Sequence, residues 1–249
     1  MKSVLKKELD FSKMTSIKGG FCSDSYYYID EYNKMFYKMF VYGLINPQSM
    51  QKKLEEIENL HKDYISNPTD IVYNYDLDLD GYGQRLINGE KLNSLVNRRT
   101  ILEHMKTIVK ISKNLEDLHN SNVVIGDIGF HNIMIDENGN PIFIDIDSVS
   151  INEFKSKTVS TLLGNYYGRK NKFVDIGTNS DNIGLYLAVF KTIFGREINF
   201  IANDTYLHEI SSCPILSDLY EVYSMLSKRN EKIPNVPYLH QVLKNYDNK

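Results

Sequence analysis

The chain has 249 residues, of which 42% are hydrophobic, 24% charged and 12% aromatic, and this ordinary globular composition excludes disordered, collagen-like and disulfide-scaffold proteins. The formal net charge is −3, and no long block carries a single sign, which argues against nucleic acid or an anionic membrane as the main partner. Two distant cysteines, Cys22 and Cys213, suggest neither a disulfide framework nor a zinc site. With no export signal or membrane span visible, we expect a cytoplasmic protein.

The first third of the chain has the pattern of short strands with one helix among them. Stretches with strand composition lie at residues 14–18, 26–30, 35–41, 71–75 and 82–87. The last two stretches flank the turn sequence DLDLDG and predict a hairpin. Between the third and fourth stretches, apolar residues recur at helical spacing from 48 to 64, after Asn46-Pro47. This region therefore predicts five strands and one helix.

Beyond Asn88-Gly89 the pattern becomes mainly helical. Apolar residues from Ile101 to Leu118 share one face of a long amphipathic helix. Short apolar runs that predict small strands lie at residues 123–125, 133–135 and 141–146. From Asp181 the nearly all-apolar stretch IGLYLAVFKTIF predicts a buried helix that ends at Gly195. Weaker helical patterns follow at residues 216–226 and 238–246.

One segment carries three side chains suited to phosphate and metal chemistry. In VIGDIGFHNIMIDENGNPIFIDID, Asp127 is followed by Asn132 and, at the end of an apolar strand, by Asp145. Magnesium ions that carry nucleotide phosphates bind one or two carboxylates, while phosphoryl transfer uses a separate carboxylate to orient the attacking hydroxyl. Asp127 suits the second task, and Asn132 and Asp145 suit the first.

The order and spacing of these residues resemble the catalytic loop and metal loop of the eukaryotic-like protein kinase superfamily, whose motifs read H-R-D-x-x-x-x-N and D-F-G. The resemblance runs from about Met14 to the last helix. It implies an α+β, bilobal protein-kinase-like fold. Residues 1–87 would form a small β-rich nucleotide-binding lobe with an antiparallel sheet and one helix, and residues 88–249 a larger, mainly helical catalytic lobe.

The resemblance also implies roles for residues outside that segment. Lys38, in MFYKMF, stands where the family keeps its phosphate-binding lysine, and Glu56 is the helical glutamate expected to pair with it. Asp181 matches the buried aspartate that braces the catalytic loop, and His119 is expected to be structural. The remaining expected nucleotide-binding residues are Gly19, Gly20, Ser23 and Ser25 in the glycine loop and Gln84, Leu86 and Ile87 along the hinge.

Several positions depart from the family pattern. Gly126 replaces the arginine that would bind a phosphorylated activation segment, and the glycine of the metal loop is Asp147, which is either a further metal ligand or a solvent-facing carboxylate. Phe36 stands where kinases usually keep a small residue above adenine. Gly129 replaces a lysine that contacts the transferred phosphate, so that task falls to His131 or is left undone.

The resemblance predicts an enzyme that uses ATP and Mg²⁺ and transfers the γ-phosphate to a hydroxyl group of a serine/threonine protein substrate. A small-molecule kinase similar to aminoglycoside or choline kinases is the first alternative, because those enzymes also place glycine before the catalytic aspartate. A pseudokinase that acts as a binding module is the second, motivated by the poor glycine loop and Phe36. Nucleic acid and membranes are not expected partners.

Overall fold

The computed structural model describes residues 1–17, 25–41, 46–97, 99–155, 159–169, 174–195, 197–198, 208, 217–228 and 233–244. The chain has a mixed α+β fold and divides into two compact units. The first contains Met1–Asn88 and Ile142–Asp147, and the second contains Gly89–Pro141 and Ser148–Lys249. Residues 142–147 were expected in the C-terminal lobe, and in the structure they group with Met1–Asn88. No described helix is both long enough and apolar enough to cross a membrane.

The first unit is built on a six-stranded sheet with the strand order β1-β5-β6-β4-β3-β2. Its strands are β1 (Lys2–Leu5), β2 (Thr15–Ile17), β3 (Ser25–Asp30), β4 (Met35–Phe40), β5 (Pro68–Tyr73) and β6 (Leu79–Arg85). All neighbours are antiparallel except β1, which pairs parallel with β5. Five of these strands were predicted, whereas β1 was not.

The two faces of the sheet have different environments because side chains alternate along each strand. Lys38 on β4 lies directly across from Tyr27 on β3 and Tyr82 on β6, so these three side chains share one face. The neighbouring residues Tyr37 and Met39 point to the opposite face and are buried there. That opposite face packs against apolar residues of the segment that precedes β2, namely Leu9, Phe11 and Met14.

A single α-helix, α1 (Pro47–Glu58), belongs to the first unit. The Asn46 side chain accepts a hydrogen bond from the Ser49 backbone N–H at 2.9 Å, and proline occupies the first turn, so the start of the helix is capped. The helix ends at Glu58 instead of continuing to residue 64. His61 has a left-handed backbone, with φ 47°, which is incompatible with helix continuation.

Strand β10 (Pro141–Phe143) leads into the metal loop, and the chain after α1 holds its end in place. The Phe143 backbone N–H donates to the Tyr64 carbonyl at 2.8 Å, and the Ser66 N–H donates to the Phe143 carbonyl at 2.9 Å. These bonds attach residues 142–147 to the first unit, which is why the metal loop belongs with the sheet that carries Lys38.

The second unit is mainly helical. Its elements are β7 (Gly89–Lys91), α2 (Leu92–Leu95), α3 (Met105–Asn120), β8 (Val123–Val124), β9 (Ile133–Asp136), β11 (Ser150–Ile151), α4 (Thr161–Arg169), α5 (Thr178–Phe194), α6 (Tyr220–Ser227) and α7 (Leu239–Val242). Strand β7 pairs with β9, and β8 pairs with β11. Helix α5 is almost wholly buried and ends at Gly195, with φ 66°, as predicted. Helix α3 begins at Met105, four residues after the predicted start.

Candidate active site

Within the first unit, the ammonium group of Lys38 joins both carboxylates of the metal loop. Its Nζ donates to Asp145 Oδ1 at 2.5 Å and to Asp147 Oδ1 at 2.7 Å. Only 9% of the Lys38 side chain is exposed. Lysines are almost never buried unless they are paired with an opposite charge, so these two carboxylates are what makes burial of Lys38 tolerable.

Aromatic residues on neighbouring strands complete the surroundings of Lys38. The Tyr82 hydroxyl donates to Asp147 Oδ1 at 3.1 Å, so one carboxylate oxygen accepts bonds from both Tyr82 and Lys38. The Lys38 Nζ also lies 5.8 Å from the centre of the Tyr27 ring, within reach of a cation–π interaction. The sheet register produces this grouping, because Tyr27, Lys38 and Tyr82 are direct cross-strand neighbours.

The metal loop has an unusual backbone at its first carboxylate. Asp145 has φ 63°, in the left-handed region, where a non-glycine residue is uncommon and costs on the order of 1–3 kcal/mol. A short 3-10 turn, Ile146–Ser148, follows, and the Ile146 side chain is only 1% exposed. Such strain persists only where surrounding contacts over-determine the conformation. The bonds to Asp145 and Asp147 and the buried Ile146 provide those contacts.

Electrostatics differ between the two carboxylates. Burial alone would lower the pKa of Lys38, but the neighbouring Asp147 and Asp145 carboxylates raise it. Burial and the nearby Asp147 raise the pKa of Asp145. Burial would also raise the pKa of Asp147, but the Lys38 ammonium and the Tyr82 hydroxyl hold it below its usual value. Asp145 is also the more exposed of the two, at 36% against 15% of the side chain.

Helix α1 contributes a lysine to this cluster that the sequence analysis missed. The Lys53 Nζ donates to the backbone carbonyl of Asp147 at 2.5 Å. The residue is 6% exposed, and burial, with a further contribution from the nearby Lys38, lowers its pKa to about 8. The available signal was its position: Lys53 lies one turn before Ile57 on the buried face of the helix.

Glu56 lies on the same helix and is half-buried. The carboxylates that the structure gives to Lys38 are those of Asp145 and Asp147, and the predicted pairing of Lys38 with Glu56 stays a prediction. In this cluster the helix supplies a cation, Lys53, and the metal loop supplies both anions.

In the second unit, Asp181 on α5 braces the predicted catalytic loop. Its carboxylate is fully buried and accepts hydrogen bonds from the backbone N–H groups of Ile125, at 2.6 Å, and Gly126, at 2.8 Å. The third partner is His119 Nε2, at 3.1 Å, and the other ring nitrogen of His119 lies 2.8 Å from the Tyr238 hydroxyl. The structural roles expected for Asp181 and His119 are confirmed by these contacts.

The backbone explains why glycine precedes Asp127. Gly126 has φ 75°, a conformation that L-residues rarely adopt, while its N–H is bonded to Asp181. Helix α5 also passes very close to the loop at Gly184, where an added Cβ would lie 2.1 Å from Ile128 Cγ2. These two glycines allow the buried helix to hold the loop on either side of Asp127.

The expected catalytic and metal residues of this loop are in contact. Asn132 Nδ2 donates to Asp127 Oδ2 and to the Asp127 backbone carbonyl, each at 3.1 Å, so its amide nitrogen is oriented toward Asp127. His131 Nε2 lies 3.9 Å from Asp127 Oδ2. The His131 ring also covers Gly129, where an added Cβ would lie 2.6 Å from the ring. A side chain at position 129 would therefore displace the His131 ring from this position.

The expected nucleotide-binding residues are only partly visible. Gly19, Gly20 and Ser23 lie outside the described residues. Ser25 begins β3 and is buried opposite Phe40, and the Leu86 backbone N–H donates to the Lys34 carbonyl at 2.8 Å. Ile87 lies two residues beyond the end of β6 and is half-buried. Gln84 is buried opposite Phe36, and its Oε1 has no hydrogen-bond partner among the described residues.

Phe36 is one of two stacked aromatic residues. The Phe36 ring stacks on Tyr27, with ring centres 5.8 Å apart and planes inclined by 30°. Phe36 lies two residues from Lys38 on the same strand face. An aromatic pair therefore occupies the position where the family keeps a small residue.

The donor set fits magnesium better than a metal held by protein alone. Within the part of the chain that the structure describes, no group of three or more His, Cys, Asp and Glu side chains is arranged to hold a metal ion. Magnesium normally keeps several waters and binds one or two carboxylates together with substrate phosphates, so it does not need such a group. The partly exposed Asp145 carboxylate in the first unit is a ligand of that kind, and the oriented Asn132 amide in the second unit is, taken by itself, another.

No protein-family model and no curated protein matches the sequence.

Proposed function

We propose that the protein is an ATP- and Mg²⁺-dependent phosphotransferase with a bilobal protein-kinase-like fold, acting in the cytoplasm. The observation that carries this proposal is the contact between Lys38 and Asp145, two residues separated by 107 positions whose side chains meet at 2.5 Å in a buried cluster. A buried lysine beside a partly exposed carboxylate provides a phosphate-binding cation next to a magnesium ligand.

Lys38 has a donor left for a nucleotide. An ammonium group offers three N–H donors, and two of them are used by Asp145 and Asp147. No other acceptor among the described residues bonds to Lys38 Nζ, so we expect the third donor to bind a phosphate oxygen. Its raised pKa keeps Lys38 charged at neutral pH, so it can balance phosphate charge. Asp147 keeps the ammonium in place from the side of β6, through the oxygen it shares with Tyr82.

In the proposed reaction Asp127 accepts the hydrogen bond of the acceptor hydroxyl and orients it toward the γ-phosphate. Asn132 fixes the Asp127 carboxylate through its Nδ2, and Asp181 fixes the backbone that precedes it. Asn132 and Asp145 are the proposed magnesium ligands, with Asp147 as a third candidate. Magnesium, when bound, would neutralise charge on the β- and γ-phosphates.

The acceptor in this proposal is a hydroxyl group of a protein. After Asp147 the sequence INEFKSKTVSTLLGNYYGRKNKF is long, mixed in charge and rich in Lys and Arg, which suits an open platform for a peptide. A small cationic acceptor would instead favour an enclosed pocket lined with acidic residues. Serine and threonine hydroxyls are the expected acceptor groups.

The test is transfer of radiolabelled γ-phosphate to a mixed protein extract and, separately, to a panel of amino-sugars and amino-alcohols. We expect Mg²⁺-dependent label on protein Ser or Thr, abolished by EDTA and reduced at least about 100-fold by Lys38→Met, because removal of one preorganised charge-stabilising group costs that much. Lys34→Met, at an exposed turn residue, is the matched control and should keep full activity. Turnover on a small acceptor alone would contradict the protein acceptor, and nucleotide binding without transfer would contradict the enzyme.

A further inference from the structure

The buried amine of Lys53 has a defined partner in the metal loop. The side chain projects from α1 next to Leu54, is 6% exposed, and its Nζ reaches the Asp147 carbonyl at 2.5 Å. Burying an amine is unfavourable unless it makes good hydrogen bonds. This contact connects residues 94 positions apart and attaches α1 to the chain two residues after Asp145.

The loop that Lys53 contacts is the one with the strained residue. Asp145 has φ 63°, and its conformation depends on the position of the chain on both sides. On the amino side, Phe143 is fixed by bonds to Tyr64 and Ser66. Beyond Asp145, Lys38 and Tyr82 bind the Asp147 carboxylate, whereas Lys53 is bonded to the Asp147 main chain.

The charges of the cluster also depend on Lys53. Two lysines, Lys38 and Lys53, face two aspartates, Asp145 and Asp147. A neutral side chain at position 53 would leave the Asp147 carbonyl without its donor and the cluster with one excess negative charge. The first change releases the loop backbone, and the second strengthens the attraction of Lys38 to its carboxylates.

We propose that Lys53 is a positioning residue that fixes the backbone of residues 145–147 from helix α1 and so directs the Asp145 carboxylate toward its metal. The metal part of this inference rests on the proposed function, whereas the anchoring of the loop does not. Lys53 acts through Asp147 and Asp145 and is not placed in contact with the nucleotide.

Hydrogen–deuterium exchange of the metal-free protein tests the anchoring directly. In Lys53→Met the peptide that spans residues 143–150 should exchange at least about tenfold faster than in the wild type, because its backbone has lost a tertiary contact. Lys53→Arg restores a charged donor and should recover most of the protection. Lys52→Met, at the adjacent exposed lysine of the same helix, is the control and should leave this peptide unchanged. Equal exchange in Lys53→Met and the wild type would overturn the proposal.

Metal binding provides the second readout. The Kd of Mn²⁺, used as a paramagnetic probe for the magnesium site, should rise about tenfold in Lys53→Met and return toward the wild-type value in Lys53→Arg, as found when the residues that support metal ligands are removed. An unchanged Kd would contradict the metal part. If the wild type itself binds no Mn²⁺, the proposed function fails, while the exchange experiment still decides the anchoring. If Lys53→Met does not fold, Lys53→Gln undergoes the same comparisons.

Discussion

Replacement of Asp181 by asparagine tests how helix α5 holds the predicted catalytic loop. In the wild type, the fully buried carboxylate accepts from two backbone N–H groups, at Ile125 and Gly126, and contacts His119. Asparagine keeps one acceptor oxygen but presents an NH₂ group where the second oxygen was. One buried donor is then unsatisfied, which costs about 1–3 kcal/mol, and the bonds that remain lose their charged partner. We expect Asp181→Asn to lower the free energy of unfolding by about 2–4 kcal/mol.

Thermal denaturation followed by circular dichroism measures this loss. For a chain of this size each kcal/mol shifts Tm by about 2–4 °C, so the expected decrease is about 5–15 °C. Asp175→Asn removes an exposed carboxylate just before α5 and should change stability by less than about 0.5 kcal/mol. Phosphotransfer should also fall in Asp181→Asn at temperatures where the variant is folded. A Tm equal to that of Asp175→Asn would refute the role assigned to this carboxylate.

Three further expectations concern packing, metal binding and pH. Gly184→Ala should destabilise the protein by about 1–3 kcal/mol in urea denaturation, because the added methyl group would meet Ile128. Ile128→Ala in the same chain should recover part of that loss. Strictly additive effects of the two substitutions on stability would contradict the contact. ATP at 100 times its Kd should stabilise the wild type by about 2.7 kcal/mol with Mg²⁺. Asp145→Asn should remove the difference in stabilisation by ATP between Mg²⁺ and EDTA, and the same loss in Asp147→Asn would identify a second ligand. No loss of this difference in either variant would refute the site. Burial, with nearby acidic groups, raises the pKa of Tyr37 to about 12. The free energy of unfolding of the wild type relative to Tyr37→Phe should therefore be constant below pH 10 and fall by about 2–3 kcal/mol as pH rises from about 10 to 12. A difference that stays constant over this pH range would contradict the burial of Tyr37.

Local patterns in the sequence predicted most secondary-structure elements around the site and the residues that lie in recognisable motifs. The apolar run after Asp181 predicted α5 with its end at Gly195, and five strands of the sheet were predicted, although β5 and β6 each begin three residues before the predicted stretch. The order of the motifs along the chain predicted the roles of Lys38 and Asp145, and the structure brings their side chains into contact. Strand β1 was missed because its four residues, KSVL, lie in a charged segment with no strand periodicity.

The residues that the sequence did not reveal depend on tertiary contacts. Lysine is normally a surface residue, so the pattern of α1 predicts no buried contact between Lys53 and Asp147. The partner of Lys38 is equally non-local: the register of β4 and β6 and the path of β10 bring Asp147 to it, and neither can be inferred from nearby residues. The end of α1 at Glu58 is likewise fixed by the backbone of His61, although apolar residues continue at helical spacing to residue 64.

The most direct test of the central claim is phosphate transfer from γ-labelled ATP by the wild type and by Asp127→Asn, compared with the exposed-site control Asp175→Asn. The proposed role of Asp127 predicts Mg²⁺-dependent Ser or Thr phosphorylation by the wild type and the control. In Asp127→Asn the transfer rate should fall at least about 100-fold with an unchanged circular dichroism spectrum, since general-base positioning contributes about 10²–10⁴-fold. Equal rates of transfer in the wild type and Asp127→Asn, or no transfer by the wild type despite Mg²⁺-dependent ATP binding, would contradict it.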